Sequence, residues 1–539
     1  MSVFPFTRSL GKRSGVQLNY PLDNSERFVP GDESQVFAGV GRFTRGRIDR
    51  AFPVNRDQLS RLLGAPVSIS VSLLNEAMVQ IYEAFLNGAQ RAVISRLIPA
   101  AASLKWMVAS LPADPDEDPV WTISTTEAAP TANFLLAIRH LECFNEGVRA
   151  EIHAEATTVE GVPAPSKRVR LRLFDLDETQ LFEFWGSLDP LAKDDFGQSL
   201  YLPDVISAQT NDLDCVVLTA AAVPTTAPFY GLDIDSNPKV SAADLVYFTE
   251  GSTSYTGPEI DRAMNALRNT QYPFGYLAGL GTQTAAVISK LGPLAMEINK
   301  QLILDAPGTL SVDAAITFAN QFNFNTHYVQ WYWAPLRATD PLNGGKVVFG
   351  VSGAQVGLRC RRNARTDANG VPPMNYPVAG KDWSLTRTGT LQQTNPSDAD
   401  LEKLAIARIN PVISQTYTNA QLFVFTDSLT SVKSESDRKL IAVAEMSTQI
   451  DDWVTAAVKE YLQLPMSESL KRTSNFLRIL FDGVQAAKWL VPSAELDGSS
   501  YIAEVKPNAQ RPKDRLDVNY WLSFDGTTRA IYVQQTISK

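Results

Sequence analysis

The 539-residue sequence is poor in the side chains that most often hold metals and covalent cross-links. It has three cysteines, widely spaced and without a Cys-x-x-Cys pair, so neither a disulfide framework nor a zinc site is indicated. Its three histidines form no paired or ligand-spaced arrangement: His140, His153 and His327. We therefore expect no metal ion and no cofactor.

A basic excess and long apolar runs are also missing. The formal net charge is −9 and the isoelectric point about 5.2, which argues against a direct nucleic-acid partner. No run of about eighteen apolar residues occurs, so no membrane span is predicted. Residues Met1–Ser14 are polar and basic, unlike a signal peptide. With 44% hydrophobic residues, the chain is expected to be a folded, water-soluble protein of roughly three or four domains.

The densest basic cluster comprises four arginines within nine residues: Arg42, Arg45, Arg47 and Arg50. In an acidic chain, an ion-paired subunit interface and a solvated loop are equally good interpretations. Contact with nucleic acid is the least favoured interpretation, because the chain as a whole repels polyanions.

The search for catalytic residues finds one weak candidate. The segment Gly281–Ala285 (GTQTA) faintly resembles the Gly-Thr-Ser-x-Ala motif of subtilisin-type proteases, but Gln283 replaces the nucleophilic serine. No histidine supplies the general base that such a nucleophile requires. We therefore predict a loop here, and no enzymatic activity.

Helical and strand patterns alternate along much of the chain, which indicates α/β architecture. Leu74, Met78, Ile81 and Phe85 mark one apolar helix face, and Gly88 is a natural stop for that helix. Strands are predicted at short apolar runs bounded in most cases by Gly, Pro or Asp: Arg91–Ile98, Tyr276–Gly281, Gln301–Asp305, Tyr328–Trp333 and Val347–Val351.

Two helices are predicted between neighbouring strands of that series, at Thr284–Leu291 and Leu294–Lys300, parted by Gly292-Pro293. Strand, helix and strand in succession indicate a mostly parallel, covered sheet. Residues 109–240 differ in sequence pattern from the regions on either side and are predicted to form one or two inserted, solvent-facing domains. Beyond about residue 398 we expect an α+β domain.

In this last domain, Arg438–Met446 is apolar enough for a strand, although it could also lead into the next helix. That helix has a buried face from Ile450 to Tyr461, and a second helix is predicted at Thr473–Leu490.

Each end of the chain carries one amphipathic strand pattern. In Gly15–Leu22 the apolar face consists of Val16, Leu18 and Tyr20. In Thr528–Lys539 it consists of Ile531, Val533 and Ile537. A terminal strand must pair its backbone groups either within its own chain or on a sheet edge of another subunit, and the pattern leaves both possibilities open.

Several segments, in order, resemble contractile phage tail sheath proteins. Residues 37–64 (FAGVGRFTRGRIDRAFPVNRDQLSRLLG) are similar to the N-terminal signature of that family, and 84–99 (AFLNGAQRAVISRLIP) to its next helix and strand. Leu302, Asp305 and Pro307, with the approach to Gly353 and Gly357, resemble the central subtilisin-like domain. The C-terminal helices and Tyr501–Ile537 resemble the closing domain, whereas 109–240 has no match.

The resemblance implies a multidomain α/β and α+β chain whose subtilisin-like core (26–108 and 241–397) lacks a catalytic triad. An inserted outer region (109–240), a C-terminal inner domain (398–526) and two terminal arms (1–25 and 527–539) complete the expected layout.

The implied function is that of a non-enzymatic sheath subunit in a virion tail, assembled in the host cytoplasm. Such subunits form stacked hexameric rings around a tail tube and contract to drive it through the host envelope, while their arms add strands to neighbouring subunits. The implied partners are other copies of the chain, the tail tube protein, and baseplate and tail terminator proteins.

The candidate tube-facing residues are Lys488 and Trp489, at the end of the helix predicted at Thr473–Leu490; completion of the domain core by that helix is an equally good interpretation. The alternatives to a sheath subunit are an inactive-looking subtilisin-like hydrolase and another self-assembling shell or tail protein.

Overall fold

The computed structural model describes residues 33–110, 122–132, 134–154, 157–159, 162–164, 168–218 and 240–535. In these ranges the strands are β1 (Val36–Gly41), β2 (Phe52–Asn55), β3 (Arg91–Arg96), β4 (Ser103–Leu104), β5 (Trp106–Ser110), β6 (Thr122–Thr126), β7 (Leu136–His140), β8 (Val148–Ala154), β9 (Thr157–Val159), β10 (Val162–Ala164), β11 (Arg168–Phe174), β12 (Gln180–Ser187), β13 (Leu213–Val217), β14 (Val240–Leu245), β15 (Phe248–Thr249), β16 (Tyr276–Ala278), β17 (Gln301–Ala306), β18 (Val329–Trp333), β19 (Leu336–Thr339), β20 (Lys346–Val348), β21 (Leu391–Gln392), β22 (Ile409–Tyr417), β23 (Ala420–Phe425), β24 (Tyr501–Pro507) and β25 (Leu516–Leu522).

The helices of the same ranges are α1 (Leu59–Leu63), α2 (Glu76–Asn87), α3 (Leu202–Gln209), α4 (Gly257–Arg268), α5 (Ala285–Glu297), α6 (Val312–Asn320), α7 (Ser352–Asn363), α8 (Asp398–Ile406), α9 (Ile441–Glu460) and α10 (Met466–Ala486). The mixed α/β, multidomain character predicted from the sequence is confirmed.

The largest sheet has eight strands in the order β2-β3-β1-β16-β17-β18-β22-β23. The six central strands run parallel, and an antiparallel strand closes each edge. Every residue of β1, β16, β17 and β18 is buried, as expected for parallel strands covered on both faces. One apolar core, with α2 and α7, lies on one face, and a second, with α4, α5, α6 and α8, lies on the other.

The prediction of two helices around Gly292-Pro293 is wrong, because α5 continues through both residues. Proline removes one backbone donor from the helix, a cost of roughly 3 kcal/mol in a helix interior. Leu291 and Leu294, on either side of the pair, are both buried in the core of the sheet. The apolar contacts on this face therefore outweigh the local cost at the proline.

Two further strand predictions need correction. Residues 346–348 form β20, but this strand belongs to a small antiparallel sheet with β19 and β21 and not to the main sheet, and 349–351 lead directly into α7. The apolar run Arg438–Met446 belongs to the start of α9, which begins at Ile441 and buries almost its whole first half. The alternative interpretation, that this run leads into the next helix, is the correct one.

The predicted insertion contains two four-stranded antiparallel sheets, β12-β11-β8-β14 and β13-β7-β5-β6. Their inner faces share one apolar core, to which α3 also contributes. The main sheet, in turn, includes β22 and β23, so it extends beyond residue 397. The division of the chain into domains stays a prediction.

Near the C-terminus, α9 and α10 pack against the two-stranded sheet β24-β25. Together they enclose a separate core that includes Trp489. Trp453 stacks on Trp489, with ring centroids 5.6 Å apart and planes 13° apart.

The helices α2 and α7 touch at backbone distance, and two glycines of α7 permit this approach. A Cβ atom at Gly353 would lie 2.0 Å from the carbonyl oxygen of Gln80, and one at Gly357 would lie 2.4 Å from that of Ala84. Neither obstacle is a flexible side chain, so α2 itself would have to move.

We predict that Gly353→Ala lowers the free energy of unfolding by about 1–3 kcal/mol, the usual cost of overpacking a core. The matched control is Gly483→Ala in α10, where an added Cβ meets nothing within 4 Å. That change should stabilise the helix by up to about 1 kcal/mol. Urea denaturation of both variants measures the change in the free energy of unfolding. Equal changes in the two variants would contradict the close contact of α2 with α7.

Candidate functional site

The amino terminus of α7 is capped by side chains from two other elements. The N–H groups of Val351 and Ser352 donate to the Asp305 carboxylate, at 2.7 Å and 3.1 Å. The N–H of Gly350 donates to Glu76 and that of Gly353 donates to Gln80, both at 2.7 Å. Three of the four N–H donors that the helix start leaves unpaired, those of Val351, Ser352 and Gly353, are therefore satisfied inside the protein, as is the N–H of the preceding Gly350.

The cap contains a second sequence match to the protease motif considered above. Gly350–Ala354 (GVSGA) matches the Gly-Thr-Ser-x-Ala pattern better than the segment considered in the sequence, and Ser352 starts the buried helix beside Asp305. Sequence reasoning missed this serine because the motif is degenerate. Ser352 is fully buried, and the neighbouring N–H donors are occupied by Asp305 and Gln80.

None of the three histidines belongs to this cluster. His140 lies in the inserted region, where its Nδ1 is 2.8 Å from the Tyr247 hydroxyl. His153 is on β8, and His327 precedes β18, where burial lowers its pKa to about 4. The structure thus brings a serine and carboxylates together without a histidine base.

Burial and, to a smaller extent, the nearby Asp305 carboxylate raise the pKa of Glu76 to about 8. The Gly350 N–H, Gln80 and Arg387 act in the opposite direction but do not compensate. A second buried carboxylate of α2, Glu83, forms a bidentate ion pair with Arg387, with both distances 2.6 Å. Glu76 has no such cation of its own and therefore retains a proton at neutral pH.

The basic cluster of the sequence forms ion pairs within the chain, and whether it also contacts another subunit stays a prediction. Arg47 pairs with Asp49 and Asp212, and its side chain is only 7% exposed. The other three arginines also pair within the chain: Arg42 with Glu250, Arg45 with Glu146 and Asp175, and Arg50 with Asp212. These ion pairs join the first strands to the inserted sheets. Their partners are distant in sequence, so spacing alone could not reveal them.

A second surface of interest is the hairpin β24-β25. Its strands pair with each other over seven residues, from Tyr501↔Leu522 to Pro507↔Leu516. Among the described residues, no third strand joins them; an isolated bridge between Leu490 and Phe524 lies beyond the end of β25. The backbone edges of the hairpin can therefore receive another strand.

The predicted arm residues lie partly outside the described ranges, since Val16, Leu18, Tyr20 and Ile537 are not included. Ile531 and Val533 are described: they belong to no strand and are 80% and 89% exposed. The segment leaves the body at Arg529, which makes a bidentate ion pair with Asp427 at 2.8 Å and 2.6 Å. Residues 528–535 thus have no sheet partner within the described chain.

The candidate tube-facing pair divides into one buried and one exposed residue. Trp489 is fully buried and its indole N–H donates to the Pro372 carbonyl at 3.0 Å, so it is a core residue and does not face a partner. Lys488 is exposed and adopts a left-handed φ of +63° just after α10. The assignment is thus corrected for Trp489 and stays a prediction for Lys488.

The described ranges contain no group of three or more His, Cys, Asp or Glu side chains placed to share a metal ion. They also contain no helix that is long and apolar enough to cross a membrane.

Neither a protein-family model nor a curated protein matches the sequence. Solved structures do resemble the chain. Its structural neighbours come from contractile tails and injection systems. The sheath tail protein from Desulfitobacterium hafniense is 12% identical, with a TM-score of 0.46, over 94% of this chain and 100% of its own.

Two further structures match about half of the chain. One is the baseplate of the anti-feeding prophage, with 11% identity, a TM-score of 0.40, and 54% of this chain and 76% of that chain covered. The other is the sheath complex of PVC, an extracellular contractile injection system, in its contracted state, with 14% identity, a TM-score of 0.40, and coverage of 51% and 74%. At these values the similarity alone assigns no function to the chain.

We predict that the variant Glu76→Gln gains stability relative to the wild type as the pH rises from 5 to 8. In the wild type the folded state holds a proton that the unfolded chain, with a glutamate pKa near 4.5, releases. The stability associated with this proton is complete below pH 4.5 and is lost as the pH approaches 8.

Thermal midpoints of wild type and variant across this pH range provide the measurement, with the exposed Glu402→Gln as control. A difference between the Glu76 variant and wild type that does not change with pH would show that Glu76 is already ionised at pH 5.

Proposed function

We propose that this chain is a structural subunit of a contractile tail sheath, which polymerises as stacked hexameric rings around a tail tube and contracts to drive the tube through the host envelope. The observation that carries the proposal is the combination of two exposed features: an apolar C-terminal segment and a hairpin, neither of which pairs with a further strand in the described part of the chain. The ordered sequence resemblance to sheath proteins supports the same role. The central α/β body would be the subtilisin-like domain of that family.

The hairpin β24-β25 is the proposed acceptor for terminal arms of neighbouring subunits. Two-stranded hairpins are marginal on their own, and strand addition would extend this one into a larger sheet. Each backbone hydrogen bond contributes about 1 kcal/mol net, so an arm pairing along a seven-residue strand makes a joint of several kcal/mol. Arms of this kind keep subunits connected while the bodies of those subunits rotate.

The C-terminal arm has the properties that such a joint requires. Ile531, Tyr532 and Val533 are each at least 80% exposed, an arrangement that is unfavourable for an isolated chain. The ion pair between Arg529 and Asp427 fixes the point at which the arm leaves the body. The direction of the arm is thus set, while its apolar residues remain available to another copy.

The outward face of α10 is the proposed contact with the tail tube. Lys471, Arg472, Arg478 and the following Lys488 are exposed along it. Arg472 pairs with Glu468 and Arg478 with Asp482, and these exposed pairs can be exchanged for acidic groups of a partner at little cost. Baseplate and tail terminator proteins would be the further partners, and no direct contact with nucleic acid or membrane is proposed.

The hydrolase alternative receives no support from the candidate catalytic serine. A nucleophile requires an accessible hydroxyl, a base within hydrogen-bond reach and free N–H donors for the oxyanion. Ser352 is fully buried, the adjacent N–H donors are occupied, and none of the three histidines lies nearby. We therefore propose a non-enzymatic role.

Removal of Thr528–Lys539 should abolish polymerisation and leave the subunit folded, because residues 528–535 pair with no strand among the residues that the structure describes. Sedimentation velocity measures the assembly, and circular dichroism measures the fold. The matched control is the double substitution Thr527→Ser and Thr528→Ser, which preserves the arm and should assemble like the wild type. Long polymers formed by the truncated chain would contradict the proposed role of the arm.

A further inference from the structure

A cavity of about 400 Å³ lies between α6, α8 and the segment 431–433, on the face of the main sheet opposite α7. Its apolar lining includes Phe324 and the buried Trp331, whose rings stack with centroids 6.4 Å apart. At its edge, Ile406 is 74% exposed. A volume of this size accommodates one or two large side chains, and Ile406 extends the apolar lining to the cavity edge.

Two features of the cavity lining are unfavourable in the isolated chain. Arg408, directly after the end of α8, has a left-handed φ of +61°, a conformation that costs a non-glycine residue roughly 1–2 kcal/mol. Ser431 is 4% exposed, yet its hydroxyl has no hydrogen-bond partner among the residues that the structure describes, and the same holds for the Nε of Arg408. Strain and unpaired buried donors at one cavity indicate a binding site.

Three cations surround the cavity: Lys403 on α8, Arg408 between α8 and β22, and Lys433 in the loop after β23. Lys403 pairs with Asp313 at 3.0 Å, and Arg408 with Glu435 at 2.8 Å. Both carboxylates are about three-quarters exposed, so water screens these pairs and other anions can replace them. Within the described ranges, the one hydrogen-bond partner of the Lys433 ammonium group is the neutral side chain of Asn323, at 3.1 Å. The cavity therefore favours an apolar group flanked by negative charges.

We infer that this cavity binds an acidic peptide segment with a large apolar side chain, and that residues 111–121 of a second copy of the chain supply it. This segment (LPADPDEDPVW) carries four carboxylates and no cation between Leu111 and Trp121. The inference rests on the proposed self-assembly and adds a specific contact to it. The carboxylates pair with Lys403, Arg408 and Lys433, and the apolar side chain packs on Trp331.

The first test measures binding of a fluorescein-labelled peptide spanning residues 110–122 to the full chain by anisotropy. We expect saturable binding that weakens about tenfold in the protein variant Lys403→Glu/Lys433→Glu, since two charge pairs are reversed. The control variant Lys193→Glu/Lys346→Glu makes the same change in net charge at exposed positions away from the cavity and should bind like the wild type.

The control peptide replaces Asp114, Asp116 and Asp118 by asparagine and Glu117 by glutamine, and should bind weakly. No binding of the acidic peptide, or equal binding by both protein variants, would overturn the inference. Binding of a designed peptide such as Glu-Asp-Trp-Asp-Glu in the absence of binding by 110–122 would overturn the assignment to a second copy and indicate another protein.

The second test separates this inference from the proposed function. In sedimentation velocity, Lys403→Glu/Lys433→Glu and Asp116→Lys/Glu117→Lys should each weaken self-association, and the chain carrying all four changes should regain it. If the wild type associates and neither double variant differs from it, the cavity contact is wrong and the sheath role stands. If the wild type does not associate under any salt condition, the proposed function itself fails.

Discussion

The fold depends on the capping of α7, a helix buried between the main sheet and α2. A buried helix start exposes four N–H donors to a medium without water, and each unpaired donor would cost about 1–3 kcal/mol. Asp305 at the end of β17 and Gln80 on α2 accept three of these, and Glu76 on α2 accepts the N–H of the preceding Gly350. Because the acceptors come from different elements, their hydrogen bonds set the position of α2, β17 and α7 relative to one another.

The other end of α7 continues this network toward the C-terminal helices. Arg359 and Arg362 are fully buried, and both pair with Glu445 of α9, at 3.3 Å and 2.9 Å. Arg359 also donates to Gln330 of β18, and Arg362 to the Tyr276 hydroxyl of β16. One carboxylate thus serves two buried cations, and its loss would leave both unpaired. These contacts join α9 to the main sheet through α7.

Much of the α/β body was predictable because its signals are local. The apolar spacing from Leu74 to Phe85 and the stop at Gly88 reproduce α2, and the short apolar runs reproduce β3, β16, β17 and β18. Pro293 misled the prediction because a proline penalty is visible in the sequence, whereas the compensating contacts of Leu291 and Leu294 with the sheet are not. The pairing of strands from residues 36–96 with strands beyond residue 276 was likewise visible only in three dimensions.

The sites were less predictable than the fold, since they depend on partners distant along the chain. The roles of Ser352 and Arg47 follow from contacts with Asp305 and Asp212, and no spacing rule connects these residues. Trp489 was misjudged because an aromatic near the end of an amphipathic helix has the same pattern whether it faces a partner or a core. The terminal arms differ in this respect: their period-two pattern has no partner nearby in sequence, and the described part of the C-terminal arm has none in the structure.

The most direct test of the sheath role is electron microscopy of the purified full-length protein, recorded across a range of salt and protein concentrations. We expect hollow tubes or stacked rings of constant width, with additional strand density along the edges of the hairpin β24-β25. Only monomers, or closed shells, under all of these conditions would contradict it.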